Sequence, residues 1–101
     1  MSLLGLDVGT TGCKAIVFSR DGEPLSQAYR EYEELYPRPG RAEIDPEQIW
    51  NAIKEVIKEA AGRASSPVEA ISTSVLGEAF HPVDKAGRPL RRTITSVDGR
   101  A

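Results

Sequence analysis

The amino-acid sequence predicts a small α/β domain: three antiparallel strands, one helix, a fourth strand parallel to the first, and a C-terminal β-hairpin. Three observations support this fold class. Two short apolar runs near the N-terminus flank a glycine-threonine turn, as in a β-hairpin. After Asp45, apolar side chains recur at three- and four-residue spacing, which is typical of a helix. A β-branched run follows, and a strand, helix and strand in succession favour a right-handed parallel crossover.

The first two strands lie within residues 3–19. The first is short and apolar, and the second, residues 15–18, contains β-branched and aromatic side chains. Between them, residues 9–12 read Gly-Thr-Thr-Gly. We expect these glycines to supply the positive φ of a tight reversal and to let a ligand approach backbone N–H groups. A hairpin also needs such residues for conformational reasons alone, so this local pattern fits a plain turn as well.

Two charged residues flank this turn. Asp7 ends the first strand, and a carboxylate accepts hydrogen bonds only, which suits it to hold a hydrated Mg²⁺ or to orient a water near a phosphate. Lys14 adds one positive charge. Together they make the turn a candidate phosphate site.

A third strand and a loop follow. Residues 20–22, Arg-Asp-Gly, predict a second hairpin turn, and residues 23–33 predict an edge strand with one solvated face. Pro37, Pro39 and Gly40 predict a loop over residues 35–43. Three aromatic residues of this region are expected to be packing residues: Tyr29, Tyr32 and Tyr36.

The clearest helix start in the chain is at residues 45–48. Asp45 is the predicted N-cap, Pro46 the first helical residue, and Gln48 occupies the capping-box position. We expect the helix to end near Gly62. Trp50 is expected to be a core anchor because of the large area that its ring can bury. The predicted apolar stripe consists of Ile49, Ile53, Val56, Ile57 and Ala60.

The last third of the chain predicts a strand over residues 68–76 and a hairpin whose turn is centred on Ala86 and Gly87.

The length and composition of the chain indicate its broad class. The 101 residues fit a single domain, and a net charge of -2 provides no strong field for nucleic acid or a membrane surface. No apolar run approaches the ~20 residues of a membrane-spanning helix, and one cysteine fits a reducing compartment, so we expect a cytoplasmic location.

Residues 5–15, Gly-Leu-Asp-Val-Gly-Thr-Thr-Gly-Cys-Lys-Ala, resemble the first phosphate motif of the actin-like ATPase superfamily, in the form found in FGGY-family carbohydrate kinases such as gluconate, xylulose and glycerol kinases. Three further stretches resemble that family in the same order: residues 42–46, residues 77–80, and residues 83–90 leading into residues 98–101. These matches cover nearly the whole chain. The resemblance therefore implies a partial ribonuclease-H-like domain of the actin-like ATPase kind.

The resemblance also implies roles for particular residues. Those that would meet the phosphates of ATP and Mg²⁺ are Asp7, Gly9, Thr10, Thr11 and Lys14, with Asp7 as the metal contact. Those that would contact a sugar or polyol substrate are Glu78, Asp98 and Arg100. The chain departs from the family pattern at Leu76, where glutamine is usual, and at Ser96, where tryptophan is usual. Both changes remove groups that would bind a polyol.

Family members are several-fold longer than this chain and have two lobes. Their catalytic aspartate, second phosphate motif and adenosine motif would lie beyond residue 101, so no residue of the chain is assigned as catalytic. Residues 1–101 are therefore interpreted as the N-terminal part of the first lobe of an ATP-dependent carbohydrate kinase, inactive in isolation. The alternative is a stand-alone, non-catalytic nucleotide- or protein-binding module. We also expect self-association, because a truncated lobe leaves a sheet edge uncovered.

Overall fold

The computed structural model describes residues 1–100, which form one helix and two sheets. In chain order the elements are β1 (Ser2–Val8), β2 (Gly12–Ser19), β3 (Pro24–Glu31), β4 (Glu34–Leu35), β5 (Glu43–Ile44), α1 (Pro46–Arg63), β6 (Val68–Val75) and β7 (Thr93–Ile94). Ala101, the last residue of the family-like C-terminal stretch, lies outside the described residues. No helix within residues 1–100 is both long and apolar enough to span a membrane.

The main sheet has the strand order β3-β2-β1-β6. Strands β1, β2 and β3 pair antiparallel through consecutive hairpins, whereas β6 pairs parallel to β1 after the α1 crossover. The predicted succession of three antiparallel strands, a helix and a parallel strand is confirmed. β3 and β6 are the two edges of the sheet, and β3 is the edge strand that the sequence predicts.

The hydrophobic core lies between α1 and one face of the main sheet. Alternate residues of β1 and β2 are buried against the helix, as the two-residue periodicity of a strand requires. The buried helix residues are Ala52, Val56 and Ala60, and the isoleucines of the predicted stripe flank them, half-buried. The two alanines bring the helix axis close to the strands. α1 packs chiefly on β2 and β3, so that it leaves β6 largely uncovered.

Three aromatic residues are not where the sequence predicts them. Trp50 is 57% exposed and stacks with the Lys54 ammonium group, whose nitrogen lies 5.7 Å from the ring centroid. It is therefore not a core anchor, because the small residues of the helix take the buried positions. Tyr29 and Tyr36 are also exposed, whereas Tyr32 is buried as predicted.

The start of α1 shows the predicted cap. The Asp45 carboxylate accepts a hydrogen bond of 3.0 Å from the Glu47 N–H, and Pro46 is the first helical residue. The capping box does not form within residues 1–100. The Gln48 side chain instead accepts a hydrogen bond from the Glu33 N–H, at 3.4 Å, which ties the helix start to the end of β3.

A second, smaller sheet has the order β4-β5-β7 and was not predicted. The ends of the expected loop over residues 35–43 form part of β4 and β5, while its proline-containing centre remains irregular. The C-terminal hairpin turns at residues 84–88, but within residues 1–100 its arms pair only through the bridges Phe80–Ile94 and Val83–Pro89. β7 pairs instead with β5, and this pairing connects the C-terminal segment to the segment before α1.

Candidate nucleotide-phosphate site

The predicted phosphate turn and the predicted substrate carboxylate Glu78 follow neighbouring parallel strands. Val8 and Val75 are register partners at the carboxyl ends of β1 and β6, and the Leu76 N–H donates a 2.9 Å hydrogen bond to the Val8 carbonyl. Because the carboxyl ends of parallel strands meet at one edge of a sheet, the turn of residues 9–12 and the loop that carries Glu78 start next to each other. The main sheet therefore brings together the two loops to which the sequence assigns ATP and substrate.

The turn itself is closed by a 2.9 Å hydrogen bond from the Gly9 N–H to the Gly12 carbonyl. Neither glycine has a positive φ; the described glycines that do are Gly22, Gly40 and Gly87. The expectation of positive φ in this turn is wrong. Gly12 is required by packing instead, since a Cβ there would lie 2.5 Å from the Arg30 carbonyl oxygen.

Tyr32, just after β3, holds this turn from its buried side. Its hydroxyl contacts the Gly9 carbonyl oxygen and lies 3.0 Å from the Gly12 carbonyl oxygen. Its N–H donates a 3.1 Å hydrogen bond to the Thr11 carbonyl. Sequence reasoning gave Tyr32 only a packing role, because no local pattern shows which backbone a tyrosine hydroxyl will meet.

The N–H groups of Thr10 and Thr11 have no acceptor within residues 1–100. Both threonines lie outside the strand ladders, and Thr11 is exposed. The carbonyls of Gly9, Thr11 and Gly12 thus have hydrogen-bond partners in Tyr32 or in the turn itself. The two N–H groups remain available to solvent or a ligand. Unpaired backbone donors of this kind bind anions.

A row of side chains crosses the sheet beside the turn, on the face opposite α1. Asp7 is the register partner of Lys14 on β2 and of Ser74 on β6. The Asp7 carboxylate makes no hydrogen bond or ion pair with any residue of the described chain. The Lys14 ammonium group turns away toward Tyr29, 6.0 Å from the ring centroid. These side chains border a shallow groove of about 290 Å³.

This arrangement fits one kind of metal site. Among residues 1–100 there is no group of three histidine, cysteine, aspartate or glutamate side chains placed to hold a metal ion. Asp7 is therefore a single open carboxylate beside N–H donors. Mg²⁺ is commonly bound by one or two carboxylates together with substrate phosphates and water, so the donor set suits a phosphate-bound Mg²⁺ rather than a metal held by protein alone.

Glu78 has an unusual backbone. It is the non-glycine residue of the described chain with a positive φ, 59°, and its side chain is exposed. The left-handed region costs a residue with a Cβ of the order of 1 kcal/mol. The strained backbone projects an exposed carboxylate at the edge where the phosphate turn begins.

Asp98 and Arg100 lie elsewhere, in what we call the arginine–carboxylate cluster: Glu43, Arg91, Arg92, Asp98 and Arg100. The Asp98 side chain is 0% exposed, and both of its oxygen atoms are occupied. Oδ2 accepts hydrogen bonds from the Ala42 N–H at 2.7 Å and from Arg100 Nη2 at 2.6 Å. Oδ1 accepts from the N–H and Nε of Arg100, at 2.9 and 2.8 Å.

Glu43 is the centre of the cluster, and sequence reasoning did not identify its role. Its carboxylate accepts hydrogen bonds from Arg100 at 2.6 Å, from Arg91 at 2.8 Å and from Arg92 at 3.5 Å. The side chain is only 9% exposed. Glu43 lies in the family-like stretch of residues 42–46, which was the sequence feature that could have marked it. Its arginine partners could not be predicted, because they are 48 to 57 residues away in sequence.

The cluster is electrostatically self-contained. The hydrogen bond from Arg100 is the main cause that holds the pKa of Asp98 far below its usual range, against the opposing effect of burial. Arg100 likewise lowers the pKa of Glu43, with Arg91 and Arg92 contributing. The same contacts raise the pKa of Arg100. These groups stay ionised and paired at neutral pH.

Comparisons with known proteins give one consistent result. The N-terminal domain of the FGGY family of carbohydrate kinases matches residues 2–101. A glycerol kinase of Trichodesmium erythraeum is 42% identical over an alignment of length 103 that covers 97% of this chain and 20% of that protein. A glycerol kinase of Thermococcus onnurineus is 39% identical over 91% of this chain and 19% of its own.

Solved structures agree. The xylulose kinase of Rhodospirillum rubrum superposes with a TM-score of 0.93 at 31% identity, over 99% of this chain and 21% of that one. The gluconate kinase of Lactobacillus acidophilus gives a TM-score of 0.90 at 27% identity, over 96% and 20%. The chain thus spans about one fifth of the length of the proteins it matches.

Proposed function

This chain belongs to the FGGY family of carbohydrate kinases, and we propose that it provides the ATP-phosphate side of such a kinase's active site. The complete enzyme would transfer the γ-phosphate of ATP to a hydroxyl group of a sugar, polyol or sugar acid. One observation supports this proposal most directly. The Asp7 carboxylate and the N–H groups of Thr10 and Thr11 have no hydrogen-bond partner within residues 1–100.

On the nucleotide side, the residues of the chain have separate tasks. The N–H and hydroxyl groups of Thr10 and Thr11 donate to phosphate oxygens, and Gly9 lets the phosphates approach the backbone. Lys14 supplies a positive charge, and Asp7 would hold Mg²⁺ through its carboxylate. A Mg²⁺ ion held there would supply positive charge that neutralises the phosphates. In kinases generally, this kind of positioning and charge stabilisation is most of the catalysis.

On the substrate side, Glu78 accepts hydrogen bonds from acceptor hydroxyl groups. Arg100 contributes through Nη1, which has no partner within residues 1–100, while Asp98 fixes the orientation of its guanidinium group. Asp98 is not a general base in this proposal, because its oxygen atoms are already occupied by donors. Leu76 and Ser96 stand where the family resemblance expects an amide and a stacking ring, and Leu76 packs against the hydrophobic core.

We propose that the 101-residue chain alone does not turn over ATP, since it holds the phosphates without a base for the acceptor hydroxyl. An ADP-release assay coupled to NADH oxidation, with ATP, Mg²⁺ and a panel of pentoses, polyols and gluconate, tests this. A complete FGGY kinase serves as the positive control. We expect a rate equal to that of the buffer blank; a rate that rises with one of the acceptors contradicts the proposal.

A second candidate function is a non-catalytic module that binds nucleotide or protein, located in the cytoplasm. The exposed edge strand β6 favours self-association within either function: Ile71 is 54% exposed and Val75 63%, and Glu69 is the strand's single charged residue. Two copies can pair these edges or exchange the C-terminal hairpin. Light scattering across a concentration series distinguishes the outcomes: a mass of one chain throughout contradicts self-association.

A further inference from the structure

We propose that Tyr32 is a positioning residue for phosphate binding: it holds the carbonyls of Gly9, Thr11 and Gly12 and so keeps the Thr10 N–H group, which shares the Gly9 peptide plane, available to a phosphate. This inference rests on the proposed function of the turn. It concerns a residue outside the phosphate motif, 20 and 23 residues from the two glycines that its hydroxyl contacts.

The contacts constrain the turn at three points. The Tyr32 hydroxyl spans the carbonyl oxygens of Gly9 and Gly12, and its N–H bonds the carbonyl of Thr11. The Gly9 carbonyl shares a peptide plane with the Thr10 N–H, so rotating that plane to point the carbonyl oxygen at a phosphate is opposed by the loss of the Tyr32 contact. The plane of the Thr10 carbonyl and the Thr11 N–H is not bonded to Tyr32, but it lies between two planes that are.

The hydroxyl, and not merely the ring, is needed for this task. Tyr32 is 8% exposed and packs in the hydrophobic core together with Val8 and Cys13. A phenylalanine would fill the same space but would leave the Gly9 carbonyl without a partner and the Gly12 carbonyl with only the Gly9 N–H. A carbonyl without a buried partner turns toward water. Burial also raises the pKa of Tyr32 to about 12, so the hydroxyl remains a donor throughout the physiological range.

The chain offers a matched control in Tyr29. This second tyrosine lies three residues earlier, on the other face of β3, and its hydroxyl makes no hydrogen bond within residues 1–100. Its ring, which a phenylalanine retains, is what faces Lys14. Tyr29→Phe therefore removes a hydroxyl near the turn without changing the carbonyl contacts.

The test uses inorganic tripolyphosphate with Mg²⁺ as the probe, followed by amide NMR of the 101-residue chain at a temperature far below its unfolding transition. For Tyr32→Phe we expect affinity about 5- to 10-fold weaker than for wild type, the effect of losing one hydrogen bond. We also expect faster hydrogen exchange at the Gly9 amide. For Tyr29→Phe, both quantities should stay within about twofold of wild type.

Because folded protein alone is observed, a purely global loss of stability would not change the affinity. If wild type binds tripolyphosphate and Tyr32→Phe binds it equally well, the positioning role is wrong and the phosphate site stands. Weaker binding by both variants to the same extent also contradicts the role. If wild type does not bind, the phosphate site and the role of Tyr32 are both overturned.

Discussion

The phosphate turn and the arginine–carboxylate cluster differ in how far their polar groups are already occupied. At the turn, Tyr32 contacts the carbonyls of Gly9, Thr11 and Gly12. The Asp7 carboxylate and the N–H groups of Thr10 and Thr11 have no partner in the described chain. In the cluster, Asp98 is enclosed and accepts hydrogen bonds from Arg100 at both oxygens and from the Ala42 N–H at Oδ2. The resemblance to kinases assigned binding roles to residues in both places.

The difference separates two uses of charge. A charged group that binds a ligand must be accessible and must not be satisfied by its neighbours, and Asp7 meets both conditions. A charged group that holds a fold is buried and paired, and Asp98 meets those conditions. The cluster links β5 to the C-terminal segment, where the large apolar side chains of Leu90 and Val97 stay exposed; ion pairs take the place of a hydrophobic contact there.

The largest effect is expected from Gly12→Ala in the turn. Its Cβ would lie 2.5 Å from the Arg30 carbonyl oxygen and 2.6 Å from the Tyr29 hydroxyl oxygen, so β2 and β3 must move apart. We expect a loss of about 1–3 kcal/mol in the free energy of unfolding, measured by urea denaturation. Gly62→Ala in the helix is the control, because nothing lies within 4 Å, and it should stabilise by roughly 0.5–1 kcal/mol. Equal effects would show that Gly12 is not packed as described.

The cluster should make stability depend on acid pH. Arginine partners lower the pKa values of Glu43 and Asp98 below their ordinary values of 4.5 and 3.8. The unfolded chain therefore binds more protons than the folded chain as pH falls through this range, and stability that is complete above about pH 4.5 declines below it. Denaturation curves between pH 3 and 7 measure this. Glu43→Gln should be less stable at pH 7 and should flatten the pH dependence; an unchanged slope contradicts the assignment.

The turn should make stability depend on alkaline pH through Tyr32. Burial raises the pKa of Tyr32 from 10.0 to about 12, so the unfolded chain loses this proton first. Stability is then complete below pH 10 and declines as pH rises toward 12. Absorbance titration at the phenolate band should show a step near pH 12 that belongs to Tyr32. Tyr32→Phe should remove that step, whereas Tyr29→Phe should leave it in place.

The smallest effect on stability is expected from Asp7→Asn. An exposed carboxylate without a protein partner should change the free energy of unfolding by no more than about 0.5 kcal/mol. Asp98→Asn removes an enclosed charge and leaves Arg100 paired with Glu43 alone, so it should destabilise the chain clearly more in the same denaturation experiment. Equal stability of the two variants would remove the distinction between the two regions.

Much of the main sheet could be predicted from the sequence, because local patterns determine it. The glycine turns, the Asp45-Pro46 helix start and the β-branched run after the helix are each local, and the fold class that they and the kinase resemblance predict is confirmed by the structure and by its likeness to solved FGGY kinases. The second sheet was not predicted, because β4, β5 and β7 are two-residue strands whose pairing depends on distant contacts.

The site was predictable only in part, for the same reason. Asp7 and the turn are adjacent in sequence and form a recognisable motif. The partners that decide which groups remain available come from far along the chain: Tyr32 for the turn and the arginines for Glu43. Trp50 was misplaced because its size indicated burial, while the helix residues buried against the sheet are the smaller Ala52, Val56 and Ala60.

The most direct test follows the amide resonances of both regions while Mg²⁺ and ATP are added to the 101-residue chain. We predict saturable shifts at the Thr10 and Thr11 amides, with no change at those of Ala42 and Arg100. Asp7→Asn should abolish the dependence of these shifts on Mg²⁺, while Asp21→Asn, an exposed aspartate in the β2–β3 turn, should leave it unchanged. Absence of shifts at the turn, or shifts that Asp7→Asn leaves unaltered, would contradict the proposed phosphate site.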